Sequence, residues 1–385
     1  MKSIILTKEQ EDAVKGIKEW FNKGERQHFV LAGFAGTGKT FLVDHLIQQM
    51  GLHNNHVAFA AFTGKASLLL RKANPGYRCS TIHRLAYKLD AESEHTAFIL
   101  REKKELEHLR LIVIDEASML SKEIFNDLLS FGIPLLLIGD EGQLPPIGGN
   151  FNVLYEPDFR LTEIHRQAKG NPIIHLSMLA RGKKKIEPGA YGKNAYVLSK
   201  NNVSPQLLDN ICLRSEQVLC GYNSTRKKIN QKVRQLKGFN SPLPMVGDKL
   251  ICTKNNWETT LGGISLVNGL TGFVKKVEIK EKQEDITRDC ISVDFRPDFM
   301  SEEKCFEGLL LLEDDFKKSA NTRLSTDEYK KYDKLDFGEC ITVHKAQGSA
   351  YERLLVINEV LDSSQHEKWL YTAITRSSDK LILVI

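Results

Sequence analysis

The stretch HFVLAGFAGTGKTFLVDHLIQQM occupies residues 28–50. An apolar run leads into a glycine-rich loop, and an amphipathic segment follows, which is the order strand, loop, helix. Within it, Gly33, Ala35, Gly36, Thr37, Gly38, Lys39 and Thr40 match the loop whose backbone N–H groups cradle phosphate oxygens. In such a loop the lysine reaches the outer phosphates and the hydroxyl holds Mg²⁺. The spacing therefore implies a nucleoside triphosphate, with ATP and Mg²⁺ as the expected cofactors. It does not say what hydrolysis drives, because kinases, GTPases, motors and transporters share the loop.

Further apolar runs at 57–62, 109–115 and 134–140 alternate with helical patterns, as strands buried on both faces of a parallel sheet require. A second series, at 217–222, 340–345, 353–358 and 380–385, predicts a second α/β domain. Short strands and turn-rich loops at 242–335 interrupt it and read as a β insertion. A chain of 385 residues is long enough for two or three domains. Its net charge of +5 permits a polyanionic partner without demanding one. The 7 cysteines are scattered, with no paired spacing that suggests zinc or a disulfide framework. No run approaches the length of a membrane span, so the expectation is a soluble chain of the cytoplasm with no membrane partner.

Asp115 and Glu116 end the strand LIVIDEAS, where one carboxylate can hold the metal and its neighbour can orient or deprotonate water. A solvated strand edge is the plainer alternative. Gln143, in GDEGQLPPI, is placed to report the outermost phosphate, or the segment is simply a proline-stiffened turn. Arg166 and Arg376 are candidates for stabilising charge during phosphoryl transfer, against the common case of surface ion pairs. For nucleic acid, residues 214–237 carry seven Lys/Arg against Glu216 alone, with Asn223, Arg226 and Lys227 at the start of a helix; a solvated face is the alternative. Thr63, Lys65, His83, Thr342, His344 and Lys345 follow strands, and Asn268 lies in a turn of the insertion.

In order, LTKEQEDAV, GFAGTGKT, AFTGKAS, STIH, IDEAS, GDEGQLPPI, LTEIHRQ, ITVHKAQGSAYERLLVI and LYTAITRSSDKLILVI resemble the motifs of a superfamily 1 helicase over nearly the whole chain. HKAQGS, TGKAS and NPIIHLSMLARGK are most similar to the RecD and Dda branch, and the compact length to phage Dda-like enzymes. The resemblance implies two tandem RecA-like domains, 1–160 and 161–385. It adds a short pin insertion at about 85–108 and an SH3-like insertion at 242–335. It implies ATP between the domains, single-stranded DNA and duplex junctions as partners, a working monomer, and a bacterial or phage-infected cell.

It also implies that Gln10 contacts adenine, that Thr40 and Asp115 hold Mg²⁺, and that Gln143, Arg166, Gln347, Gly348 and Arg376 sense the γ-phosphate. Phe62 stands where the family often has proline. The implied activity is ATP-driven 5′ to 3′ movement on DNA with duplex unwinding. A strand-tracking remodeller that does not unwind, or an RNA-stimulated ATPase of the same superfamily, fits the same motifs. Phe98 is the candidate separation wedge; the alternative for AFILREKKELEHL is a helix with Phe98 in its packing face.

Overall fold

The structure is a computed structural model. It describes residues 6–145 except 90–97, then 151–164, 170–281 except 263, 288–317 and 331–385; the side chains of Thr40 and Leu89 also lie outside the description. The chain divides into two compact units, Met1–Glu187 with Asp362–Thr375, and Pro188–Leu361 with Arg376–Ile385.

The first unit begins with α1 (Lys8–Lys23), closed at its start by a Thr7/Gln10 capping box and at its end by Gly24 in the left-handed region. There follow β1 (His28–Gly33), α2 (Lys39–Gln49), β2 (Val57–Ala61), α3 (Gly64–Ala73), β3 (Arg78–Thr81) and α4 (Ile82–Ala86). Then come β4 (Tyr87–Leu89), β5 (Phe98–Leu100), α5 (Lys103–Leu106), β6 (Leu111–Asp115), α6 (Lys122–Ser130), β7 (Leu135–Gly139), β8 (Phe159–Leu161) and α7 (Pro172–Arg181).

Six of these strands form one parallel sheet in the order β3-β2-β6-β7-β1-β8. Its strands read as unbroken apolar runs because both faces are covered. Phe29, Leu31, Val57 and Phe59 pack with Ile17 and Trp20 of α1 and Leu42 and Leu46 of α2. The alternate residues Val30, Ala58, Ile112 and Leu137 pack with Ile82, Phe125 and Leu128 on the other side. Strands β4 and β5 make a separate antiparallel pair, Leu89 opposite Phe98 and Tyr87 opposite Leu100.

The second unit contains β9 (Gly189–Tyr191), β10 (Ala195–Leu198), α8 (Pro205–Arg214), β11 (Gln217–Cys220) and α9 (Asn223–Leu236). Next are β12 (Lys249–Cys252), β13 (Asn256–Leu261), β14 (Ile264–Leu266), β15 (Thr271–Lys280), β16 (Cys290–Pro297), β17 (Phe306–Leu312), α10 (Asp314–Lys317) and β18 (Leu335–Phe337). The chain closes with β19 (Cys340–Thr342), β20 (Tyr351–Ile357), α11 (His366–Ile374) and β21 (Ser377–Val384). Its main sheet has the order β19-β11-β20-β21-β10-β9, parallel except for the β9 edge. The expected insertion is an antiparallel sheet, β17-β16-β15-β12-β18, closed over Leu250, Val274, Val293, Phe295 and Leu309, with a β13–β14 pair beside it. Among the described residues no helix is long and apolar enough to cross a membrane.

The division falls at Glu187/Pro188, whereas the sequence reading places it between 160 and 161. Two contacts move it. β8 pairs with β1, extending the first sheet to Leu161, and α7 packs on α11 within the first unit. Helix α11 therefore belongs to the first unit, although β20 and β21 on either side of it in sequence pair with each other in the second sheet.

Candidate functional site

The phosphate loop joins β1 to α2. Gly36 and Gly38 have φ of 81° and 77°, where a Cβ is strongly disfavoured. At Gly33 a Cβ would lie 2.8 Å from Thr37 Oγ1 and 3.0 Å from Leu161 Cβ, so only glycine lets the loop fold this closely. Lys39 Nζ donates to the carbonyls of Gly33 at 2.7 Å and Phe34 at 2.9 Å, and the Thr37 hydroxyl also donates to Phe34 O at 2.9 Å. The opening N–H groups of α2 complete a ready anion site. Thr40 lies in the first turn of that helix.

Gln10, expected at the adenine, lies beside the phosphate loop. It is 1% exposed; its Oε1 accepts from Thr7 N at 3.0 Å and its Nε2 donates to Thr37 O at 3.0 Å. Its amide ties the cap of α1 to the phosphate loop, matching one backbone donor and one backbone acceptor there.

The order β2-β6-β7-β1 sets Asp115, Gly139 and Gly33 at neighbouring carboxyl ends. Asp115 is half-buried, and its Oδ1 accepts from Glu116 N at 2.9 Å. It is a hard oxygen donor of the kind Mg²⁺ takes. Glu116 is held at φ 55°, ψ 43°, a left-handed conformation unusual for a residue with a side chain. After β7, Gln143 is 6% exposed, and its Oε1 finds no hydrogen-bond partner among the described residues. Arg166 lies outside the described residues. In the second unit, Arg376 is 5% exposed and donates through Nη1 to Ser349 O at 3.3 Å; Gln347 is buried and Gly348 has φ 71°.

Thr63 caps α3 by accepting from Ala66 N at 3.1 Å, beside the half-buried Lys65. Pairing of Ala61 with Thr81 sets the Thr63 loop next to His83, whose ring meets Phe62 edge-on and stacks on Tyr87. Burial pushes the pKa values of His83 and His344 down, so both rings are neutral near pH 7 and act as hydrogen-bonding or stacking groups. Phe98, Ile99 and Leu100 are exposed on β5, so the AFILREKKELEHL segment opens as a strand and not as the alternative helix.

In the second unit Thr342 ends β19 and His344 and Lys345 follow it, and Asn268 is exposed in a turn whose Gly269 neighbours the Lys345 carbonyl. Burial, then the charge of Arg226, lowers the Lys345 pKa. Asn223 opens α9 and Lys227 is exposed on it. Arg226 does not fit the backbone-contact role: it is 5% exposed, paired with Asp336 at 2.8 Å and bonded to Asn223 Oδ1 at 3.1 Å. Arg234 is likewise paired with Asp248 at 2.8 Å.

Sequence reading misses Arg181 and Tyr371. Arg181 Nη1 donates to Asp140 at 2.7 Å, and the Tyr371 hydroxyl donates to the other oxygen of Asp140. The same hydroxyl accepts from Ala35 N at 2.9 Å. Tyr371 sits among Leu370, Ala373 and Ile374 and reads as helix packing; Arg181 ends a helix, where cations are common.

Residues 5–201 match the family model described as an AAA domain, and residues 337–384 match the UvrD-like helicase C-terminal domain. The ATP-dependent RecD2 DNA helicase of Deinococcus radiodurans is 27% identical over 380 residues, covering 91% of this chain and 46% of the relative. This chain belongs to the superfamily 1B helicases of the RecD, Dda and Pif1 group. The ATP-dependent DNA helicase dda of Enterobacteria phage T4 is 30% identical over 193 residues, 45% of this chain and 44% of the relative. The chain spans about half the length of these curated relatives. A Bacteroides Pif1 helicase crystallised with ADP-AlF3 and ssDNA shares the fold at a TM-score of 0.55 and 18% identity, over 99% of this chain and 92% of that one. In superfamily 1B terms, motifs I to III lie in the first unit and V in the second. Motif VI is split, its helix α11 in the first unit and Arg376 with β21 in the second.

Proposed function

We propose that this chain is an ATP hydrolase that moves 5′ to 3′ along single-stranded DNA and separates duplex DNA. The observation that carries the reading is the strand order β3-β2-β6-β7-β1 of the first sheet. Along one edge it sets the loop residues His83, Thr63 and Lys65 beside Asp115 and Glu116, then Gln143, then the phosphate loop. A change felt at Asp115 and Glu116 is thus one or two strands from groups suited to a nucleic-acid backbone. Two relatives named ATP-dependent DNA helicases, and a Pif1 helicase crystallised with ADP-AlF3 and ssDNA, support the same reading.

In this proposal Lys39 and the opening amides of α2 bind the phosphates. With Mg²⁺ bound, Asp115 and Thr40 would hold the ion, which supplies neutralising charge. Glu116 takes the proton of the attacking water, Gln143 positions at the γ-phosphate, and Gln347, Gly348, Arg166 and Arg376 complete the sensing set. Thr63, Lys65, His83, Asn223, Lys227, Asn268, Thr342, His344 and Lys345 contact DNA, and Phe98 on the β4–β5 hairpin stacks at the duplex junction.

Steady-state ATP hydrolysis with matched DNA and RNA oligonucleotides tests the reading. Strong stimulation by single-stranded DNA, abolished in a folded Lys39→Ala variant, is expected. Hydrolysis stimulated by RNA alone, or undiminished in Lys39→Ala, contradicts it.

A further inference from the structure

The peptide unit between Phe34 and Ala35 is held at both ends. Its carbonyl accepts from Lys39 Nζ at 2.9 Å and from the Thr37 hydroxyl at 2.9 Å, and its N–H donates to the Tyr371 hydroxyl at 2.9 Å. A phenol has one proton, and here it goes to Asp140, which leaves a lone pair for the Ala35 N–H. Rotation of the hydroxyl is thereby fixed. Asp140 is itself 1% exposed and anchored: its other carboxylate oxygen accepts from Gly142 N at 3.0 Å and Arg181 Nη1 at 2.7 Å. Arg181 also pairs with Glu141 at 3.0 Å, and its guanidinium lies 3.9 Å from the centre of the Phe34 ring. Gly142 is required for this fit, since a Cβ there would come within 1.9 Å of Arg181 Nη1. One residue along α11, Thr372 Oγ1 accepts from Leu144 N at 2.9 Å, fixing the segment just after Gln143.

We propose that Tyr371 is a positioning residue for the phosphate loop: its hydroxyl, locked by Asp140 and Arg181, orients the Phe34–Ala35 peptide and through it the Lys39 ammonium. A peptide flip at this point would withdraw the Phe34 carbonyl from Lys39, leaving the ammonium to be ordered at the moment of nucleotide binding. Holding the peptide in advance removes that ordering cost. Burial and the charge of Asp140 push the phenol pKa far above its ordinary value, so the donor proton is kept across the working pH range. The arrangement also gives α11 a role that its apolar sequence does not announce: it joins the phosphate loop and the Gln143 segment within the first unit.

This inference rests on the nucleotide-binding reading above, and the experiment separates the two. Dissociation constants for ADP and ATP are measured on the full chain, the Tyr371→Phe variant, the Gly142→Ala variant and the double variant, each with a thermal melt. Tyr371→Phe keeps the ring against Arg181 and removes only the hydroxyl. Loss of two hydrogen bonds is expected to weaken both nucleotides about tenfold, with KM for ATP rising in proportion and kcat falling less. Gly142→Ala displaces Arg181 while keeping the Tyr371 hydroxyl and should act in the same direction. The double variant should lose less than the product of the single losses, because both act through one clamp. Affinities within about twofold of the parent in folded Tyr371→Phe overturn the proposal, as do fully multiplicative effects in the double variant. A parent chain that binds neither nucleotide overturns the nucleotide reading and this inference together.

Discussion

Glu116 concentrates the chemistry of the first unit in one backbone conformation. At φ 55° and ψ 43° it carries a strain of order 1 kcal/mol that glycine would not feel. This left-handed residue turns the chain directly after Asp115, at the end of β6. Glu116→Gly should therefore fold with a melting temperature equal to or above the parent, while DNA-stimulated ATP hydrolysis falls about 10²-fold or more through loss of the base. A melting temperature well below the parent would show that the conformation is not strained; near-parent hydrolysis would remove Glu116 from the chemistry. The acidic pair is legible in the sequence, since it ends an apolar run two strands after the phosphate loop. Its left-handed turn is not, because nothing in IDEAS is a glycine or an asparagine. For Gln10 the motif names the residue, and the structure adds that its amide bonds to Thr7 and Thr37.

Helix α9 shows what counting charges leaves out. Arg226, Asn230, Val233 and Arg234 recur at helical spacing on its buried side, and both arginines are matched by carboxylates, Asp336 and Asp248. That spacing was present in the sequence; the partners, 110 and 14 residues away, were not predictable from it. Lys232 and Lys237 lie within reach of Asp209 and Glu339. The exposed Lys227 and Lys228 remain the α9 lysines suited to DNA. Replacing both with alanine should lower the slope of log affinity for single-stranded DNA against log salt by up to about 1.4, from roughly 0.7 per neutralised phosphate. An unchanged slope would make α9 a solvated face. The β4–β5 pair is not decided by sequence for a related reason: FIL is too short to show a period, and its strand character comes from pairing with Tyr87–Leu89.

Across the whole molecule, two mainly parallel sheets and an antiparallel insertion were legible, because apolar runs bounded by turn signals mark buried strands without any knowledge of their partners. The division between the units was not. It depends on β8 adding to β1 and on α11 packing with α7, contacts made between segments distant in sequence. The split of motif VI follows from that packing. It leaves Tyr371 beside the phosphate loop and Arg376 in the second sheet's unit, separated along the chain by one short stretch of helix. In the proposed function, ATP hydrolysis by this chain drives 5′ to 3′ movement on DNA and opens duplex. It is tested most directly by ATP-dependent strand separation on two duplexes of identical sequence, one with a 5′ single-stranded tail and one with a 3′ tail. Separation of the 5′-tailed duplex and little of the other is expected. Separation of the 3′-tailed duplex alone, or of neither while DNA-stimulated hydrolysis proceeds, would contradict it.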